Sequence, residues 1–290
     1  MCNKDSRRKV IRMYYYSLII PHHGNAAQLQ RLLDSIPQRE DMEVITVEDK
    51  ERRGAGWARN QGLRQARGTY ILFADSDDWF LPEIDEVLDE ARKSDADIIY
   101  FNATAVEETT GKPSRRADRL NWIMRQEDDK REFLLRHTFT EPWCHIIRKS
   151  IIDRHQLRFD ETPILNDVTF TTQAGYYAER VAVLNSTAYC VCNRKGSTGK
   201  LTDNARLIAY TQVMAKTNAF NKLHGIGIYH ARMMRPLIKC MLKGKITTAG
   251  RCVKEMKQHG YSCSEIIFLF AAYPCHLIIY LYNRQRYSRS

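Results

Sequence analysis

A short apolar run that ends at a cluster of acids constrains this chain more than any other feature. The run covers residues 70–74, and it stops at Asp75, Asp77 and Asp78. A continuous apolar segment of this length is typical of a strand that is buried on both faces, as in a parallel sheet. Ligands of open α/β sheets bind at the carboxyl ends of such strands. We therefore expect the acids to lie at a binding edge.

These acids allow two interpretations. Clustered carboxylates repel one another unless a cation lies between them, and hard oxygen ligands suit Mg²⁺ or Mn²⁺ shared with a phosphate. Aspartate also favours turns and helix N-caps, so a strand end that runs into an Asp-rich turn would equally account for the pattern. The residues of this segment alone leave both interpretations open.

Strand-like and helix-like segments alternate over the first hundred residues. Strand character covers residues 14–20, 42–47, 70–74 and 98–103, and helical spacing covers residues 28–36, 57–66 and 81–94. This alternation predicts βαβ units and an α/β fold with a mostly parallel sheet flanked by helices. Residues 107–130 are polar and lack a clear period, so we expect a loop or a helical excursion over the site. A sheet-containing domain is predicted over residues 14–200, followed by a helical, basic extension over residues 201–290.

The charge balance narrows the kinds of partner. The 290 residues include 45 Lys and Arg against 34 Asp and Glu, a formal net charge of +11. Such a charge suits nucleic acid, an anionic membrane surface, or nucleotide and polyphosphate ligands. The sequence has neither the aromatic box of RNA-binding sheets nor zinc-finger spacing, so nucleic acid is not an expected partner.

The cysteines and the N-terminal residues bear on the compartment. Eight cysteines are scattered along the chain, and only Cys190 and Cys192 are closely spaced. A C-x-C pair without a second pair or a nearby histidine is poor zinc spacing, and alternate strand positions point to opposite faces, which disfavours a disulfide. Free thiols of a reducing cytosol fit better. No signal-like apolar core precedes Tyr14, so we expect the protein on the cytoplasmic side.

An apolar segment near the end of the chain raises the question of membrane contact. Residues 266–282 are apolar except for Pro274 and His276, and Arg284, Arg286 and Arg289 follow. Seventeen residues are marginal against the roughly 20 that span a bilayer. A broken apolar segment with a basic tail is typical of a membrane-surface anchor. A C-terminal helix that packs on the catalytic domain is the alternative.

Several sequence blocks, in order, resemble the family 2 glycosyltransferases of the GT-A fold, whose sheet is Rossmann-like. The likeness runs from Tyr16 to about Ser197. The blocks are SLIIP at residues 17–21, LLDSI at 32–36, VED at 47–49, GAGWARNQG at 54–62 and FADSDD at 73–78, the last similar to the family's D-x-D motif.

The resemblance implies a nucleotide-diphosphate sugar donor held by Mg²⁺ or Mn²⁺. On the family's pattern Asp77 would ligate the metal, and Asp75 would hold the ribose or assist the metal. Glu48 and Asp49 would meet the base or the ribose, since a carboxylate accepts from a base N–H or from hydroxyls. The chain departs from the family at residues 50–53, where Lys-Glu-Arg-Arg replaces a longer segment that usually begins Gly-Ser, so the identity of the base stays open.

Two further positions of the donor side follow from the same resemblance. Pro21 would shape the wall beside the base. Arg59 would either meet a phosphate or brace the acidic strand ends through a salt bridge.

The second half of the resemblance concerns the acceptor. Residues 141–148 (EPWCHIIR) are similar to the family's P-W block, with His145 where Lys is commoner. Asn166 and Asp167 resemble the family's E-D or N-D step, whose acid is the expected general base of an inverting transfer. Asp167 as a mere helix cap is the alternative. Asp160 and Glu161 are weaker candidates for the base, and residues 194–198 would form either a basic phosphate-binding segment or an exposed hairpin.

The combined prediction is a metal-dependent hexosyltransferase. It would move a sugar from a nucleotide-diphosphate sugar to a hydroxyl of a glycan or lipid-linked acceptor, in bacterial surface polysaccharide biosynthesis. The expected location is the cytoplasm or the inner face of the cell membrane. A nucleotidyltransferase and a non-catalytic glycosyltransferase-like partner protein are the alternatives. The first normally has an early Gly-rich phosphate loop, which residues 21–25 lack, and the second would lose the acids that this chain keeps.

Overall fold

The computed structural model describes residues 14–194, 203–227 and 233–287, with side chains up to residue 275. Within these residues the elements follow one another as β1 (Tyr16–His22), α1 (Ala26–Asp34), β2 (Met42–Glu48), α2 (Ala55–Gln65), β3 (Tyr70–Phe73), β4 (Trp79–Phe80), α3 (Ile84–Ser94), β5 (Ile98–Glu107), α4 (Asp118–Met124), α5 (Asp128–Thr138), β6 (His145–Arg148), α6 (Lys149–Arg154), α7 (Val168–Tyr177), β7 (Val181–Asn193), α8 (Asn204–Leu223), α9 (Met234–Leu242), α10 (Ile246–Gln258) and α11 (Cys263–Tyr287).

One mixed sheet organises the first part of the chain. Among the described residues it has seven strands in the order β2-β1-β3-β6-β5-β7-β4. Strands β2, β1 and β3 are parallel, as are β5 and β7. Strand β6 runs antiparallel to both of its neighbours, and β4 runs antiparallel to β7. The predicted α/β class is confirmed, and the expected mostly parallel order holds in β2-β1-β3 and β5-β7.

Parallel pairing brings the carboxyl ends of β1, β2 and β3 to one edge. Strands β1 and β3 are buried along their whole length, as their continuous apolar sequences predicted. Pro21 lies near the end of β1, beyond Ile19, the last residue that β3 pairs. A residue that cannot donate a backbone hydrogen bond is tolerated at such a position. The acids of residues 75–78 leave β3 at this same edge.

Residues 107–130, expected to form a loop or a helical excursion, are largely helical. After β5 the chain makes a 3₁₀ turn at Arg115–Ala117 and then forms α4 and the start of α5. Leu120 and Ile123 of α4 are buried in the main core, which explains why a charge-rich segment is ordered there.

The helices from α8 onward surround an apolar cluster of their own. Its buried members include Val213, Met234, Cys252 and Ile266, together with Val168 from the start of α7. Through Val168 the helical part packs against the start of α7, directly after Asp167.

Helix α11 presents one face to this cluster and another to solvent. Ile266 and Leu269 are buried, whereas Ile267 and Phe268 are each 69% exposed. In its first turns α11 therefore packs against the protein on one face only, as the alternative of a packed C-terminal helix predicted, and its other face is exposed. In the part of the chain that the structure describes, none of the helices combines the length and apolarity that crossing a bilayer requires.

A glycine at the start of α2 sets how closely this helix approaches the site. A Cβ built on Gly56 would lie 2.1 Å from the backbone oxygen of Asp160. We expect Gly56→Ala to lower the free energy of unfolding by roughly 1–3 kcal/mol, because the loop after residue 159 must move. Gly250→Ala in α10 is the control, since its Cβ would meet no described atom within 4 Å and alanine favours a helix. Urea unfolding of both variants checks this, and an unchanged midpoint for Gly56→Ala would contradict the close packing.

Candidate active site

An arginine of α2 joins two parts of the site that are far apart in sequence. The buried Arg59 donates through Nη2 to Asp75 Oδ1 at 2.5 Å and through Nη1 to Asn166 Oδ1 at 2.7 Å. The backbone N–H of Asp75 donates to the Tyr189 hydroxyl at 3.0 Å. Arg59 therefore makes the bracing contacts that the sequence suggested, whereas its alternative role at a phosphate stays a prediction.

The second acid, Asp77, is held by cationic side chains. Arg194 lies 2.7 Å from Asp77 Oδ2, and Arg31 donates to the backbone oxygen of Asp77. Desolvation and the charge of Asp75 raise the pKa of Asp77, and Arg194 opposes this rise. The structure thus compensates the negative charge of this carboxylate with a side chain that is itself partly exposed.

The third acid, Asp78, serves the fold. It is 2% exposed, its Oδ2 accepts from the Tyr189 hydroxyl at 2.9 Å, and its Oδ1 accepts from the Cys192 backbone N–H at 2.8 Å. Burial, followed by repulsion from Asp75 and Asp77, raises its pKa well above the usual value. Asp78 therefore ties the strand end to β7 and is favoured in its neutral form.

The acids at the end of β2 differ from each other. Asp49 is buried, and its two carboxylate oxygens accept the backbone N–H groups of Arg53 and Gly54 at 2.9 and 2.6 Å. It therefore shapes the short loop in which the chain departs from the family pattern. Glu48 is exposed and lies 3.4 Å from Lys50. Contacts of Glu48, Asp49 and Pro21 with a nucleoside stay predictions.

Asp167 occupies the N-cap position of α7 without capping it. Among the described residues its side chain makes no capping hydrogen bond, and its role as the base stays a prediction. Desolvation raises the pKa of Asp167 to about 6; Arg59 opposes the rise, and Glu141 and Asp75 add to it. A desolvated carboxylate with this pKa is suited to accept a proton near neutral pH.

The weaker base candidates have structural partners. Lys216 of α8 donates to Asp160 Oδ1 at 2.6 Å, and Asn60 donates to Glu161 Oε1 at 3.2 Å. Asn60 also exchanges two hydrogen bonds with the backbone of Phe159, at 3.0 and 2.9 Å. The loop that leads to Asp167 is therefore fixed to α2 and α8.

Sequence reasoning missed Glu141 as a member of the site. Its charge reaches Asp167, and its Oε2 is buried without a hydrogen-bond partner in the described part of the chain. The Thr171 hydroxyl, one turn after Asp167, lies 3.0 Å from the backbone oxygen of Asp167 and 3.2 Å from that of Thr140, so it sits between the two segments. The sequence feature that could have identified Glu141 is its position directly before Pro142 in the P-W block.

Two other features of that block are internal. Trp143 is buried and stacks on Tyr189 with ring centroids 5.5 Å apart. His145 stacks on Phe139, and burial lowers its pKa to about 3, so the ring is neutral where the family commonly has Lys. Of the predicted basic segment 194–198, only Arg194 is described, and residues 195–198 lie outside the described residues.

The strand-end acids fit a divalent cation that a substrate helps to hold. In the described residues, groups of three or more His, Cys, Asp or Glu side chains placed to bind a metal are absent. Asp75 and Asp77 nevertheless offer the oxygen ligands that Mg²⁺ and Mn²⁺ prefer, and such ions are commonly held by one or two carboxylates plus phosphates. The mutual repulsion of these two acids is what a cation would relieve.

Comparisons with known proteins agree with this geometry. Residues 38–156 match the family described as glycosyl transferase family 2. EpsH of Bacillus subtilis (strain 168), a protein with a glycosyltransferase name, is 28% identical over 180 residues, which cover 59% of this chain and 51% of EpsH. EpsJ of the same organism, named an uncharacterized glycosyltransferase, is 26% identical over 204 residues, 60% of this chain and 59% of EpsJ. The matches thus span little more than half of these relatives.

Solved structures share the fold at low sequence identity. Residues 1–349 of S. aureus TarS, in complex with UDP-GlcNAc, have a TM-score of 0.60 and 16% identity, covering 89% of this chain and 90% of that TarS fragment. The mannosyltransferase PcManGT from Pyrobaculum calidifontis, in complex with GDP-Man and Mn²⁺, has a TM-score of 0.52 and 16% identity, covering 94% of this chain and 83% of PcManGT. With the sequence blocks, these comparisons support a family 2 glycosyltransferase with the GT-A fold, and residues 38–156 are the segment that matches the family.

Proposed function

We propose that this protein transfers a hexose from a nucleotide-diphosphate sugar to a hydroxyl of an acceptor. One observation carries the proposal: Arg59 bridges Asp75, beside the predicted metal ligand, and Asn166, beside the predicted base. A donor held at one carboxylate would thereby lie next to the other. This is the arrangement that a direct displacement requires, because the reacting groups must be held within contact of each other.

The proposed reaction is an inverting single displacement. Asp167 accepts the proton of the acceptor hydroxyl as the oxygen attacks the anomeric carbon from the face opposite the leaving diphosphate. Asp77, with Asp75, would hold Mg²⁺ or Mn²⁺, and when bound the cation offsets the charge that develops on the diphosphate. Arg59 keeps Asp75 and the Asn166–Asp167 step in fixed relation. Glu48, Asp49 and Pro21 would line the nucleoside.

The donor class is supported by the ligands named for two structures of the same fold. TarS is in complex with UDP-GlcNAc and PcManGT with GDP-Man and Mn²⁺. Both ligands are nucleoside diphosphates of hexoses, which supports a nucleotide-diphosphate hexose here. They differ in base and sugar, so neither is assigned to this chain.

The proposal also covers the acceptor, the location of the enzyme and the division of the chain into two parts. We place the enzyme in bacterial surface polysaccharide biosynthesis, on the cytoplasmic side of the membrane, with a glycan or lipid-linked acceptor. Residues 14–200 would form the catalytic domain. Residues 201–290 would form a helical extension that meets an anionic membrane surface, which its excess of basic residues supports.

A thermal-shift panel tests the donor site. Each nucleoside diphosphate and its sugar conjugates is added with Mn²⁺ or with EDTA, and a ligand of the native state raises the melting temperature by mass action. We expect one base to give a shift of several degrees that EDTA removes. A shift with intact nucleoside triphosphates alone would favour a nucleotidyltransferase, and no shift with any nucleotide would favour a non-catalytic partner protein.

A further inference from the structure

The turn between α9 and α10 exposes aliphatic side chains next to lysines. We call residues 241–246 (Met-Leu-Lys-Gly-Lys-Ile) the α9–α10 tip. Leu242 and Ile246 are each 83% exposed and Met241 is 55% exposed. The backbone N–H groups of Gly244 and Lys245 donate to Met241 and Cys240 at 3.1 and 2.9 Å, so the turn is closed by its own hydrogen bonds. Large aliphatic side chains on a fixed tip suit insertion into an apolar phase.

The charge of the chain is concentrated in the same part of the molecule. Residues 201–290 hold 14 Lys and Arg against 3 Asp and Glu, whereas residues 1–200 hold 31 of each. The whole formal net charge of +11 therefore belongs to the last 90 residues. Basic residues beside exposed apolar side chains complement a bilayer with anionic headgroups. The acyl chains accommodate the apolar side chains, and the headgroups attract the basic ones.

Exposed apolar side chains, like the net charge, are concentrated in residues 201–290. Among the described residues, seven of the nine large hydrophobic side chains that are exposed belong to this C-terminal part, and only Val44 and Phe133 lie elsewhere. The seven are Leu223, Met241, Leu242, Ile246, Ile267, Phe268 and Phe270. Two segments group three of them closely, the α9–α10 tip and the first turns of α11, and the tip carries the two most exposed of the seven, Leu242 and Ile246 at 83% each.

The tip lies at the end of the helical part that adjoins the candidate active site. Cys240, directly before the tip, is buried in a small cluster with Ile164, three residues before Asp167. Lys245 donates to Asn204 Oδ1 at 2.7 Å, which fixes the tip beside the start of α8. A surface that the tip touches would therefore lie on the same side of the molecule as the proposed base.

We infer that the α9–α10 tip inserts into an anionic lipid bilayer and holds the active site over the membrane, so that the acceptor is lipid-linked. The part of this inference that concerns the acceptor rests on the proposed function, whereas the lipid contact does not. Leu242 and Ile246 enter the acyl region, and Lys243 lies at the level of the headgroups. A lipid-linked glycan would then reach Asp167 without leaving the bilayer.

Vesicle flotation of the full chain tests the lipid contact. The probe is vesicles of phosphatidylglycerol and phosphatidylethanolamine, compared with vesicles of phosphatidylcholine alone. We expect binding to the anionic vesicles only, and at least about tenfold weaker binding for the double variant Leu242→Ser, Ile246→Ser. Lys243→Glu should weaken binding by about fivefold and reduce its dependence on salt. Val44→Ser, which changes an exposed aliphatic on β2, is the matched control and should bind as the unchanged protein does.

The outcomes separate this inference from its rivals. Undiminished flotation of the double variant would overturn it, since α11 or charge alone would then account for binding. If size-exclusion chromatography shows a dimer that the double variant abolishes, and neither protein floats, the tip is a self-association surface and the inference is wrong. The donor thermal shift of the double variant must equal that of the unchanged protein. A donor shift that is absent in both would count against the proposed function and leave the lipid contact as measured.

Discussion

Asp167→Asn is expected to lower the rate of sugar transfer by about 10²–10⁴-fold while donor binding stays unchanged. Asparagine keeps the shape of the side chain but cannot take the proton of the acceptor hydroxyl. Because Asp167 makes no capping hydrogen bond among the described residues, the substitution should leave the stability of α7 nearly unaltered. Transfer is measured as release of nucleoside diphosphate from the donor that the thermal-shift panel selects, with an extract of lipid-linked glycans as acceptor.

The same carboxylate should set the acidic limb of the pH profile. Desolvation raises the pKa of Asp167 to about 6, so the ionised form that accepts a proton dominates above this pH and declines tenfold per unit below it. Transfer by the unchanged enzyme should therefore fall as pH drops through about 6. The residual transfer of Asp167→Asn should lack this limb.

Glu161→Gln is the matched control for the base. Glu161 was a weaker candidate on sequence, and its Oε1 accepts from Asn60, a contact that glutamine can keep. Transfer should stay within about twofold of the unchanged enzyme, because a surface substitution that preserves its contacts usually has a small effect. Loss of transfer in Glu161→Gln together with full transfer in Asp167→Asn would reverse the assignment of the base.

Glu141 illustrates what sequence reasoning could not reach. The P-W block was recognised, but the importance of its glutamate depends on distances across the fold. Its Oε2 is buried without a partner in the described residues, and its charge helps to raise the pKa of Asp167, a residue 26 positions later. Such a contact is set by how α7 packs against the segment before β6, and the place of Glu141 in the P-W block marks the residue without giving this distance.

The acids at the end of β3 show the same limit more sharply. Their place at a strand end was predictable, because an apolar run ended at them and parallel strands bring their carboxyl ends together. The different contacts of the three acids were not predictable from the sequence. Asp78 turns inward because Tyr189 and Cys192 of β7 offer it two hydrogen bonds, more than a hundred residues along the chain. Asp75 points to Arg59 instead, and Asp77 to Arg194.

The sequence predicted the fold class of the sheet, but only part of its strand order and direction. Alternation of strands and helices gave the parallel set β2-β1-β3, since each crossover helix returns the chain in the same direction. Strand β6 enters between β3 and β5 after two helices, and its direction follows from where α5 ends rather than from its own sequence. A buried strand of four residues has the same apolar pattern whether it runs parallel or antiparallel to its neighbours.

Asp77→Asn is expected to remove the metal-dependent part of donor binding altogether. The substitution takes away the negative charge that a divalent cation requires, and transfer should fall by at least about 100-fold. The fold should persist, because the partner of Asp77 is Arg194, and a partly exposed ion pair contributes about 1 kcal/mol or less. The thermal shift produced by the selected nucleoside diphosphate with Mn²⁺ should drop to the value seen with EDTA.

Asp78→Asn is the control that separates the metal from the fold. Burial raises the pKa of Asp78 well above its usual value and so favours its neutral form, and the amide oxygen of asparagine can still accept from the Cys192 N–H. This variant should keep a Mn²⁺-dependent shift with the same nucleotide. Retention of that shift in Asp77→Asn and its loss in Asp78→Asn would assign the cation to the buried acid. Loss in both, with unchanged melting temperatures without ligand, would mean that the cation needs the charge of the whole cluster.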